Sequence, residues 1–140
     1  MTVEEALALV AAHRLGVLVT LRASGQPQTS NVLYAVRERQ IRISLTEGRA
    51  KTRNLRRDPR ATLHVSTADA SSWAALEATA QLSPVTTSPG DETGRALGKL
   101  YVDIGGSEHP DWDEFYRAMV DERRLLLTLS VVHGYGGGAG

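Results

Sequence analysis

Cysteine is absent from this 140-residue chain, and with it go disulfides, thiolate metal sites and any cysteine nucleophile. Aromatic residues are scarce at 5%, with one Phe and two Trp, which leaves little from which to build a stacking platform for nucleic acid. Net charge is lacking too: 16 Lys and Arg balance 16 Asp and Glu, so no broad basic face is offered to a phosphate backbone. No apolar run approaches the ~20 residues of a membrane-spanning helix, and residues 1–10 are too acidic for a secretory signal. A cytoplasmic protein with no nucleic-acid or membrane partner is therefore expected. The four histidines, His13, His64, His109 and His133, lack the i, i+4 spacing and carboxylate neighbours of a metal-binding helix, so no metal site is expected.

What is present is ordinary in amount and uneven in placement. An apolar content of 41% and a charged content of 23% suit a globular chain. The length suits one domain, expected over residues 1–133 and followed by a flexible Gly-rich tail at 134–140. Residues 1–70 hold 11 Lys and Arg against 6 Asp and Glu, whereas residues 71–140 hold 5 against 10, giving +5 and −5. Such halves suit an acidic helical layer folded on a basic β layer, or on a second subunit.

Periodicity supplies the elements. Thr2 and Glu5 form a capping box, and Val3, Ala6, Leu7, Val10 and Ala11 repeat at helical spacing, predicting a helix that ends near His13. Residues 15–21 read as a strand and 23–26 as a hairpin turn into a strand over 28–36. Alternation over 41–45 gives a half-buried strand, and further strands are predicted over 60–67, 73–82 and 124–132. Two helices, one from Pro89 through Tyr101 and one from His109 with Trp112, Phe115, Tyr116 and Met119 on one face, precede the last strand. The expectation is a mainly β, α+β fold: a six-stranded antiparallel split or closed barrel with peripheral helices.

The densest chemistry lies between Glu47 and Arg60. Arg49, Lys51, Arg53, Arg56, Arg57 and Arg60 face only Glu47 and Asp58, leaving +4 in a chain that nets zero. A helix is predicted from Arg49 to just before Asp58-Pro59, which puts Arg49 and Lys51 in its first turn. Backbone N–H groups there have no intrahelical acceptor and the dipole is positive, so cations at this end are disfavoured unless an anion sits among them. The competing reading is a solvated basic face.

Glycines spaced for a dinucleotide fingerprint or a Walker loop are missing, and Ser30, Ser44 and Ser72 have no local His and acid companions, so no catalytic residue is assigned. What remains is a phosphate-grasping helix start beside two strands whose Gln28, Ser30, Asn31, Ser44 and Thr46 can hydrogen-bond a flat heteroaromatic ring. That combination calls for a cofactor that carries the reaction.

The segments at residues 16–20, 25–32, 49–59 and 112–129 together resemble the pyridoxamine 5'-phosphate oxidase-like split β-barrel oxidoreductases, most closely the actinobacterial branch described as dependent on the deazaflavin coenzyme F-420. The resemblance implies a homodimer with the cofactor at the subunit interface. It implies that Arg49 and Lys51 hold the cofactor phosphate with the Ala50 N–H, that Ser30, Asn31, Ser44, Leu45 and Thr46 flank the ring, and that Trp73 lies near it. Relatives carry a further Trp where this chain has Ser71, which implies a differently shaped substrate side. The expected activity is hydride transfer from reduced F-420 to an electron-poor C=C or similar acceptor in a small-molecule substrate. Alternatives are an FMN-dependent oxidase or reductase of the same fold, a carrier of cofactor without turnover, and a nucleic-acid module. Arg53, Arg56, Arg57 and Arg60 favour the deazaflavin, whose glutamyl tail adds carboxylates that FMN lacks. Trp112, Phe115, Tyr116 and the apolar run at 125–129 offer more apolar surface than one small barrel can cover, a further reason to expect self-association.

Overall fold

The alternating runs pair into one antiparallel sheet. The structure is a computed structural model, and it describes residues 1–138. In chain order the elements are α1 (Val3–Ala11), β1 (Leu15–Leu21), β2 (Pro27–Leu33), β3 (Ala35–Arg37), β4 (Gln40–Thr46), α2 (Ala50–Arg57), β5 (Arg60–Ser66), β6 (Ser72–Leu82), α3 (Glu92–Gly105), α4 (Trp112–Asp121) and β7 (Arg124–Gly138). The sheet order is β2-β1-β5-β6-β7-β4-β3. Its two edge strands are joined through Tyr34 alone, so the sheet curls back on itself.

Seven strands replace the six expected, because the predicted strand over 28–36 breaks at Tyr34. There the chain turns inward: the Tyr34 N–H donates to the Arg14 carbonyl at 2.9 Å and its hydroxyl donates to the Val10 carbonyl at 2.6 Å. β2 thus pairs with β1, and β3 pairs with β4. Burial of the Tyr34 ring pushes the phenol well above its ordinary value, so it remains a donor at physiological pH.

One face of the curled sheet is the core. Leu18 on β1, Ile41, Ile43 and Leu45 on β4, Leu63 and Val65 on β5, Leu76 on β6 and Leu125, Leu127 and Leu129 on β7 point into it. Ala6 and Val10 of α1 close one end. The capping box at Thr2 is present in both directions. Outside the barrel, α3 and α4 pack on each other, with α3 lying along β4 and β7. No helix among the described residues is long and apolar enough to cross a membrane.

The expected flexible tail is corrected at residues 134–138, which continue β7 opposite β6 from Gly134↔Leu76 to Gly138↔Ser72. The glycines are there for closeness. A Cβ at Gly136 would collide with the Trp73 carbonyl and stand 3.0 Å from the Ala74 Cα, and one at Gly134 would stand 2.9 Å from Leu76 Cδ2. Ala139 and Gly140, the rest of that predicted tail, lie outside the described residues.

Candidate functional site

The turn from β4 into α2 builds the site. Gly48 takes a φ of 84°, which a side chain would resist, and lets the chain reverse before Arg49. Arg49 is the N-cap of α2 but gives no side-chain cap, and the first turn carries no acid. The turn is pinned by Thr52, whose fully buried hydroxyl donates to the Thr46 carbonyl at 2.8 Å.

Beside this turn, a cavity of about 380 Å³ opens between the edge of β2 and β4, roofed by α3 and α4. Its polar side presents Asn31, Ser44, Lys51 and Arg124, and its apolar side presents Leu33, Leu97, Tyr101, Ile104, Phe115 and Met119. The size falls in the range that takes one small organic molecule. Lys51 is half-buried, and desolvation, then repulsion from Arg49 and Arg124, holds its ammonium below the usual lysine value. It has no carboxylate partner among the described residues.

Of the residues expected to hold a cofactor, Asn31, Ser44 and Lys51 line this cavity together. Thr46, Arg49 and Ala50 adjoin Lys51 along the turn, where the Ala50 N–H lies in the unfilled first turn. Leu45 is fully buried in the core and can offer only its backbone. Ser30 is half-buried on the inward row of β2, opposite Leu18, and Gln28 lies further along the same row. Gln28 has another occupation: its Oε1 accepts from Asn54 Nδ2 at 2.9 Å, and the same nitrogen donates to the buried Thr20 hydroxyl at 3.1 Å. Gln28 therefore holds α2 on the barrel.

Trp73 is not brought to the cavity. It stacks on His64 with ring centroids 5.6 Å apart and meets Tyr135 edge-on at 6.0 Å. On β7 it pairs opposite Gly137, whereas Ser44 pairs opposite Leu126, so the two lie towards opposite ends of that strand. Ser71 joins a loop in which its N–H and hydroxyl both bond the Asp69 carboxylate.

Arg124 was not foreseen as a site residue. The register Thr46↔Arg124 sets it beside the α2 turn, and Glu122 holds its guanidinium at 3.0 Å. Only the pairing of β4 with β7 reveals this, since nearly 80 residues of chain intervene between Thr46 and Arg124. The other arginines of α2, and Arg60 at the start of β5, are engaged within the chain. Arg56 pairs with Glu47, Arg60 with Asp58, Arg53 donates to the Gly48 carbonyl, and Arg57 donates to the carbonyl of Leu21 and the side chain of Asn54.

Comparison with known proteins gives one family and a set of similar folds. The family described as pyridoxamine 5'-phosphate oxidase matches residues 2–135. A conserved hypothetical protein from Mycobacterium tuberculosis is similar at 22% identity and a TM-score of 0.77, over 99% of this chain and 86% of that one. A protein named F-420 reductase is similar at 21% and 0.65, over 87% and 89%. A heme binding protein from Mycobacterium smegmatis is similar at 23% and 0.69, over 98% of this chain and 54% of that one.

Proposed function

Because this chain belongs to the pyridoxamine 5'-phosphate oxidase family, we propose that it is an oxidoreductase of the split-barrel type that binds coenzyme F-420. The coenzyme's phosphate sits at the start of α2 and its flat ring in the cavity between β2, β4 and α3. The observation that carries this reading is Lys51, a half-buried ammonium at an uncapped helix start, set against Arg49 and Arg124 without a carboxylate among the described residues to balance it. An oxyanion there accepts from the three side chains and from the free N–H groups of the first turn, and it reverses the repulsion among them.

Asn31 and Ser44 present polar atoms to the ring edge, while Leu33, Tyr101 and Phe115 exclude water around it. Bound there, the reduced coenzyme supplies a hydride to an electron-poor C=C or a similar acceptor. The chain's own residues bind, orient and desolvate, which is why no nucleophile or general base needs to be assigned.

The site is completed by a second copy of the chain. Trp73 cannot reach the cavity of its own protomer, yet it stands on an outer face with Tyr135, Val132 and Leu15, the last two 67% and 59% exposed. Burying such a face in a homodimer explains its apolar character. The apolar residues from which the sequence suggests self-association are spent within one chain: Leu125, Leu127 and Leu129 are core, Phe115 is buried, and Trp112 and Tyr116 pack in the α3–α4 aromatic cluster.

FMN in the same site is the second reading, and one observation favours it. Arg56 and Arg60 are paired with acids and Arg53 and Arg57 with backbone carbonyls, so the cations that would hold a glutamyl tail are largely occupied. The test mixes the purified chain with reduced F-420 or reduced FMN and follows absorbance against conjugated enones and acids. Turnover with the deazaflavin at low salt supports the first reading. Turnover with FMN alone replaces it, and binding without turnover of either marks a carrier.

A further inference from the structure

A second concentration of cations lies beyond Ile104, on the far side of that cavity from the α2 turn. The outward row of β4 runs Thr46, Ser44, Arg42, with Thr46 opposite Arg124 and Arg42 opposite Ala35 of β3. At ~3.3 Å per residue that row leads about 13 Å away from the α2 turn. At its end Arg42 and Arg37 both donate to the same Asp103 oxygen of α3, at 2.5 and 3.3 Å. Arg42 is only 13% exposed, and its Nε–H has no acceptor among the described residues. Arg14 reaches the Ile104 carbonyl at 3.5 Å. Among His13, Arg14, Arg37 and Asp103 a polar cavity of about 270 Å³ opens, and Ile104 lines both this cavity and the larger one.

Two guanidiniums thus share one carboxylate while a third reaches the negative end of α3, which leaves positive charge to be balanced. A structural clamp of α3 onto β4 needs Arg42 and Asp103, but not Arg14 and Arg37 around an open polar cavity. We infer that this polar cavity binds the acidic group of the substrate: the acceptor is an apolar acid whose carboxylate or phosphate sits by Arg14 and Arg37 while its apolar part passes Ile104 to the mouth of the larger cavity, against the edge of the ring. The inference rests on the coenzyme reading above, in which the coenzyme's phosphate occupies the opposite cationic end.

The test is calorimetric titration of the full chain with cinnamate, phenyl phosphate and the neutral cinnamamide. The acids bind at least about tenfold more tightly than the amide, and the tighter of the two identifies the group. The preference disappears in the Arg14→Ala/Arg37→Ala variant, or in Arg14→Gln/Arg37→Gln should the first fail to fold, and survives in Lys51→Ala. Equal affinity of acids and amide, no binding of either acid at millimolar concentration, or a preference lost in Lys51→Ala instead would overturn the inference. Coenzyme affinity, measured separately on the same variants, reports on the coenzyme site: a loss in Lys51→Ala upholds that site whatever the acids do.

Discussion

Lys51 is held where its own charge is disfavoured. Its folded value lies below the ordinary 10.5, so protonation costs stability at every pH beneath the lowered value, and the cost fades as the pH rises towards 10.5. Lys51→Met keeps the apolar stem and removes the charge. The free variant should melt no lower than the parent near pH 7, with any gain vanishing as the pH approaches that ordinary lysine value of 10.5. A clear loss of melting temperature near neutrality would mean that the ammonium has a structural partner. At this scale the sequence was legible where position carries meaning, as at Lys51 in a first helical turn. Gln28 was not legible, because a polar residue in an alternating strand reads the same whether it bonds a ligand or Asn54, 26 residues on.

The helix α2 is placed by Asn54, which is 6% exposed and spends both its amide hydrogens on Thr20 and Gln28. Asn54→Ala strands the fully buried Thr20 hydroxyl and should cost about 1 to 3 kcal/mol in a denaturant titration. An unchanged midpoint would show that the network does not hold α2. The second half of β7 makes a parallel case. Gly136→Ala forces a methyl against the backbone of β6 and should cost about 1 to 3 kcal/mol; a neutral result would mean that this stretch is the loose tail that its composition implies. Glycine-rich sequence reads as flexible because composition does not say what lies beside it, and the neighbour here, Trp73-Ala74, is over 60 residues away. The elements with strong alternation or caps, such as β1 and α1, were legible nearly to the residue. The break at Tyr34 was not, since its cause is a pair of hydrogen bonds to Arg14 and Val10, more than a turn of chain away.

For the whole molecule, the charge halves meet where Asp103 of the acidic half takes Arg37 and Arg42 of the basic half, so part of that asymmetry is spent within one chain. The apolar outer face at Trp73, Tyr135, Val132 and Leu15 is left exposed by the described residues. Sedimentation at micromolar concentration with coenzyme present should give a dimeric mass, and Val132→Glu on that face should shift it towards the monomer; a monomeric parent would remove the shared site. The central claim, that the start of α2 holds the phosphate of a ring-bearing coenzyme, is tested most directly by fluorescence titration of coenzyme F-420 into the parent, Arg49→Ala and Lys51→Ala. Loss of one charge-assisted hydrogen bond is worth roughly 1.5 to 3 kcal/mol, so affinity should fall about tenfold to a hundredfold in Lys51→Ala. Arg49→Ala should lose at least as much, because a guanidinium can engage two phosphate oxygens. Folded variants that bind the coenzyme as tightly as the parent would contradict the account.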